Sequence, residues 1–142
     1  MTATVLAIFC ATWPAALPRQ IDHAAHVAGV PNVLLAAVVG AESTCDRRKI
    51  SRKVAVGYAQ LLPGGSAAKG HSTKQLRRTT LNLRLAAEHI HKGLQLCGGS
   101  WAEAVSFYTG KFPCTAGPWG TKVAGAAEWV VRKSLTPAGG RA

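Results

Sequence analysis

Apolar residues recur at helical spacing in five stretches of the chain, separated by runs rich in Gly and Pro. Ile21, Ala24, Ala25 and Ala28 share one face of a helix predicted over Arg19 to Ala28, with Gly29 as its stop. Pro31, whose missing N–H and preset φ suit a first helical turn, opens a second helix to about Ser43. Between Thr44 and Ser72 the glycines and Pro63 predict a mostly irregular segment with a short extended piece over Val54 to Leu62. Thr80 then caps a helix from Leu81 to about Leu96, and Ser100 caps another through Tyr108, with Glu103 three residues on as in a capping box. Gly110 to Gly120 reads as a loop, Thr121 opens a last helix to about Lys133, and residues from Leu135 onward form a frayed tail. The prediction is a single, mainly α domain over residues 19–134, with a short irregular or β-like segment between its second and third helices and no internal repeat.

The second helix ends unusually. Leu34, Leu35, Val38 and Val39 form its apolar stripe, and Glu42 continues that stripe at the helical period. A carboxyl at the edge of a core has its charged form disfavoured, so its pKa rises toward the range where it can donate a proton near neutrality. From the pattern alone, Glu42 is either such a general acid or a solvated residue at a helix end.

Composition narrows the partners. With 142 residues and 48% hydrophobic content the chain can bury a core of its own. Its 17 Lys and Arg against 6 Asp and Glu leave a formal net charge of +11, which predicts an anionic partner: nucleic acid, a membrane surface or an anionic wall polymer. Arg47, Arg48, Lys49, Arg52 and Lys53 follow directly on Glu42, and each by itself reads as a solvated surface charge. No helix-turn-helix, zinc or aromatic-strand signature accompanies the charge, so no specific nucleic acid is expected.

Met1 to Pro18 carries no charged side chain and has an apolar stretch from Val5 to Ala11. It reads either as an export signal, though without the usual positive flank, or as a buried first segment; it is too short and Pro-broken to span a membrane. The four cysteines, Cys10, Cys45, Cys97 and Cys114, lack the paired spacing of a zinc site. Cys97 with Cys114 is the candidate disulfide, closing the loop around Tyr108, whereas removal of a signal containing Cys10 would leave an odd cysteine. His23, His26, His71, His89 and His91 form no metal set and read as structural or solvent-facing, and Trp13, Trp101, Trp119 and Trp129 as core or groove wall.

Four segments in order carry a resemblance. They are the helix from Gly29 to Glu42-Ser43, the element Val56-Gly57-Tyr58-Ala59-Gln60-Leu61-Leu62-Pro63, Asn82 in a helix followed by Gly98-Gly99-Ser100-Trp101, and Ala104 to Gly110 with Tyr108. Together, over about residues 21 to 125, they resemble the soluble lytic transglycosylase family, the lysozyme-like enzymes that cleave peptidoglycan glycan strands. Ala59 stands where that family usually has Met, Thr109 replaces the Asn of the fourth motif, and Lys111 falls where its Gly would be. These departures bear on substrate preference.

The resemblance implies a lysozyme-like fold and one acid/base glutamate, Glu42, with no carboxylate nucleophile, cofactor or metal. The substrate's acetamido oxygen then supports the anomeric carbon, and its C6 hydroxyl closes a 1,6-anhydro end. Hydrolysis by water is the neighbouring outcome. Ser43 would orient Glu42 or bind substrate, or else be a simple helix-end hydroxyl. Gln60 would bind an acetamido or hydroxyl group through its amide. Tyr108 would hold Glu42 and wall the groove, Tyr58 would stack on a sugar, and Gly57 would allow close backbone approach. The expected partner is the glycan strand, met by a monomer in the periplasm or cell envelope, delivered by an envelope-spanning secretion or conjugation assembly or carried on a phage virion. The rival functions are a basic nucleic-acid module and an inactive relative that binds glycan without cutting it.

Overall fold

A computed structural model describes residues 1–136. Their helices are α1 (Ala3–Phe9), α2 (Leu17–Ala28), α3 (Asn32–Ser43), α4 (Thr73–Leu76), α5 (Thr79–Leu96), α6 (Trp101–Tyr108) and α7 (Pro118–Leu135).

The central element is α3. Its stripe predicted burial on one face, but nine of its residues, Val33 to Gly40 and Ser43, are buried. A helix apolar all round can sit only inside a protein, and α1, α2, α5 and α7 pack around this one. Gly40 permits the closest of these approaches: a Cβ there would lie 2.7 Å from both Cβ and the carbonyl oxygen of Phe9, so α1 ends directly on the α3 backbone. Leu6 of α1 is fully buried, and Cys10, just beyond the helix, is disulfide-bonded to Cys45 after α3. The apolar segment at the start of the chain is thus part of the packed core in this structure.

The 45–72 segment is irregular, with isolated antiparallel bridges from Val56 to Ile50 and Leu61 and a 3-10 turn at Ser66–Ala68. Helix α4 lies outside the predicted elements; Ser72 and Gln75 close a reciprocal capping box at its start. Helix α5 begins at Thr79 behind Arg78, without a side-chain cap from Thr80. Helix α7 begins three residues before the expected Thr121, because Pro118 suits a first helical turn that needs no N–H. Trp129 is 46% exposed under the Lys133 ammonium, which moves it out of the core. The remainder of the predicted tail, 137–142, lies outside the described residues.

Candidate active site

Glu42 occupies the penultimate position of α3, half-buried at the wall of a groove of about 460 Å³. Burial pushes its carboxyl from 4.5 to about 7, opposed in part by the positive charge of Lys49. The partial negative charge at a helix C-terminus acts in the same direction as burial. Lys49 is held nearby because its Nζ donates to the Glu42 carbonyl oxygen at 2.8 Å.

The opposite walls come from distant parts of the chain. Gln60, His89, Tyr108 and Thr109 line the same groove, together with Ser51 and Lys53. Among the described residues no second carboxylate lines it. Asp46, the nearest acid in sequence, turns to Arg48, whose backbone N–H and guanidinium keep its carboxyl below the usual range.

Gln60 sits at a left-handed φ of 51° and donates its amide N–H groups to the carbonyls of Lys49 (2.8 Å) and Gly57 (2.9 Å). Those bonds use the donors expected for substrate and leave the amide oxygen as the acceptor it can offer. Tyr108 donates its hydroxyl to the Ala59 carbonyl, not to Glu42. Burial first, and then the Glu42 charge, hold its phenol well above the usual range, so it stays protonated. Tyr108→Phe is expected to cost about 1–2 kcal/mol, because the buried Ala59 carbonyl loses a donor, and to lower turnover less than tenfold. Thermal melts and initial rates check both halves.

Three other candidates face away from the groove. The Ser43 side chain is fully buried and donates back to the Val39 carbonyl at 3.0 Å, so it touches neither the Glu42 carboxyl nor a ligand. Tyr58 is 2% exposed, a core residue and not a stacking platform. Ala59 is completely buried, so the position where Met is usual belongs to the core, not to the groove wall. Gly57 does allow a close approach, but to Asn82: a Cβ would lie 2.5 Å from the Asn82 Nδ2, at a φ of +82° that already disfavours a side chain. Gly57→Ala should therefore destabilise the protein by about 2 kcal/mol, measurable as a lowered urea midpoint.

Asn82 explains how this loop is held. From inside α5 its Nδ2 donates to the carbonyls of Val56 (3.0 Å) and Leu76 (2.9 Å), and its Oδ1 accepts from Ala59 N (2.9 Å). The Ala59 peptide is thus clamped by Asn82 on its N–H and by Tyr108 on its carbonyl.

His89, read from the sequence as structural or solvent-facing, lines the groove. It is buried, stacks on Phe107 at 4.8 Å and meets Tyr108 edge-on. Burial, helped by Lys92 and Lys69, pulls its pKa down and favours the neutral ring. A signal was present, since Asn82, Ala86, His89 and Gly93 recur on one helical face beside the more apolar stripe.

Cys97 and Cys114 are bonded to each other, which removes both thiolates from the one cluster of metal-ligating residue types among the described residues, completed by Glu103. Among the described residues no helix is long and apolar enough to cross a membrane.

The profile of the Transglycosylase SLT domain matches residues 19–116, from α2 to the loop before α7. The chain belongs to the transglycosylase SLT family. Its fold is accordingly the mainly helical, lysozyme-like one, and in general terms it is a lytic transglycosylase of peptidoglycan. No curated protein gives a significant match. The SLT match includes Glu42, Gln60, Asn82, His89 and Tyr108, every residue singled out above for the groove or its support, and leaves α1 and α7 outside it.

Proposed function

We propose that this SLT-family protein cleaves the β-1,4 bond between N-acetylmuramoyl and N-acetylglucosaminyl residues with Glu42 as its single acid/base, releasing 1,6-anhydro ends. The observation that supports this most is a carboxyl poised at about 7 in a groove that, among the described residues, holds no second carboxylate. Glycosidases that rely on two protein carboxylates set them roughly 5–9 Å apart, and this groove offers no such pair.

Protonated Glu42 gives its proton to the glycosidic oxygen as the C1–O bond breaks. The substrate's acetamido oxygen closes on C1 from the opposite face. The resulting carboxylate then takes the C6 hydroxyl proton while that oxygen attacks C1 and expels the acetamido group. A pKa near 7 lets one carboxyl serve both steps near neutral pH. The Gln60 amide oxygen is suited to accept from a sugar N–H or hydroxyl, and Tyr108 and neutral His89 wall the groove. Because peptidoglycan lies outside the cytoplasm, the site of action is the cell envelope.

Mass spectrometry of muropeptides released from purified sacculi tests the reaction. Anhydro ends, absent from a Glu42→Gln control, are the expected product; reducing ends would assign hydrolysis by water instead. Tight sacculus binding with no release by the wild-type protein would make the chain an inactive glycan binder.

A further inference from the structure

Lys49 lines one cavity and braces another. Its backbone and ammonium support the Glu42 groove, and its side also walls a separate cavity of about 270 Å³ formed with Arg47, Arg48, Arg77, Ile50 and Val56. Among the described residues four cations border that space and no acid does. Of the three arginines at this cavity, Arg48 pairs with Asp46 at 3.5 Å, while Arg47 and Arg77 have no acidic partner among the described residues.

All four are exposed, but they border one concave site, where their fields add. Arginine forks match a carboxylate or phosphate through paired N–H donors. The volume lies below the roughly 300 Å³ at which pockets for whole small molecules begin, so the cavity suits the charged end of a larger ligand. The connection to the groove runs through hydrogen bonds to one carbonyl. The Lys49 carbonyl accepts from Gln60 Nε2 and from Gly57 N (3.3 Å), and Gly57 lines the cationic cavity while Gln60 lines the groove. The cationic cavity and the groove are therefore joined through one hydrogen-bonded loop.

We infer that the Arg47–Arg48–Lys49–Arg77 cavity binds a carboxylate of the peptide stem carried by the glycan strand in the adjacent groove. This rests on the lytic reading above, since a peptidoglycan strand bears such stems on its muramoyl residues. Stem carboxylates are favoured over a phosphate-bearing wall polymer because they lie on the same strand that fills the groove. The protein thereby distinguishes peptide-bearing strands from stripped ones, and the preference is screened by salt.

The test uses the full chain with Glu42→Gln, so that binding is read without cleavage, and compares it with a triple variant that adds Arg47→Gln and Arg77→Gln. The probes are glycan strands with intact stems, strands stripped of stems by an amidase, and a phosphodiester wall polymer free of peptide. At low salt, stem-bearing strands are expected to bind about tenfold more tightly than stripped ones. The two arginine substitutions should erase that ratio while leaving affinity for stripped strands, which keep only their lactyl carboxylates, unchanged; high salt should erase the ratio as well. Equal affinity for both strand types, an equal loss on both in the triple variant, or tighter binding of the phosphodiester polymer than of stem-bearing strands would overturn the assignment. Unaltered melting temperature excludes misfolding, and both arginines are exposed. Failure of the wild-type protein to cleave sacculi counts against the lytic reading alone, because the cavity is judged by the ratio of affinities.

Discussion

Glu42→Gln is expected to lower glycan release by about 100- to 10,000-fold, the contribution of a positioned general acid, and at the same time to make the protein more stable at pH 8. The second effect follows from burial. The folded-state pKa is raised from 4.5 to about 7, so the folded protein holds this proton more tightly than the unfolded chain does. The corresponding stability is fully present below 4.5 and is lost as pH rises through 7. The gap is equivalent to about 3 kcal/mol, or about 2 kcal/mol after allowance for the part of the side chain that solvent screens. Glutamine never ionises, so the variant avoids that loss, and its melting temperature at pH 8 should exceed that of the parent by roughly 4–8 °C. At pH 4 the two should melt together. Calorimetric scans at both pH values check this, and a difference that does not vary with pH would show that Glu42 is not desolvated in the folded state. For the wild-type enzyme, the step that needs protonated Glu42 slows as pH rises above 7.

Asn82→Ala should have the largest effect on stability, about 3–5 kcal/mol. It strands the carbonyl of Leu76 and the N–H of Ala59 in a region without solvent, leaves the Val56 carbonyl with Leu61 N–H as its remaining donor, and opens a small cavity beside them. Domains of this size have only about 5–15 kcal/mol in total, so a fall of about 10 °C or more in melting temperature is expected. The same change frees the loop that presents Gln60, so KM for glycan should rise in whatever protein remains folded. Asn82→Asp separates hydrogen bonding from volume. The ionised side chain has no donor for the two carbonyls, whereas the protonated form has one, so this variant should lose stability as pH rises through the carboxyl range. A melting temperature for Asn82→Ala within about 2 °C of the parent would show that the loop is held by other means.

Helices were legible wherever the apolar period met a clear stop, as at α2 and α3, because Gly29 and Pro31 state where one ends and the next begins. Short elements were not: α4 has a single buried residue, Leu76, and a pattern needs several turns to declare itself. The Glu42 carboxyl was legible for the same reason as α3, since an acid that continues an apolar stripe must meet the core's edge. Tyr58 and Ser43 misled because neighbours of a functional residue in sequence point to different sides of a helix or a tight loop.

From the sequence alone came the helical class, the four ordered segments, the lone acid and the excess of positive charge, all of which are properties of residue type and spacing along one dimension. Only the tertiary structure decided which side chains share the groove. Burial and hydrogen-bond partners depend on contacts as distant as Ala59 with Tyr108 and with Asn82. Those contacts put Gln60 and His89 beside Glu42, turned Ser43 and Tyr58 inward, and gathered four cations around one cavity. No local pattern encodes such proximity, because it arises when the chain folds back on itself and each buried polar group must find its partner.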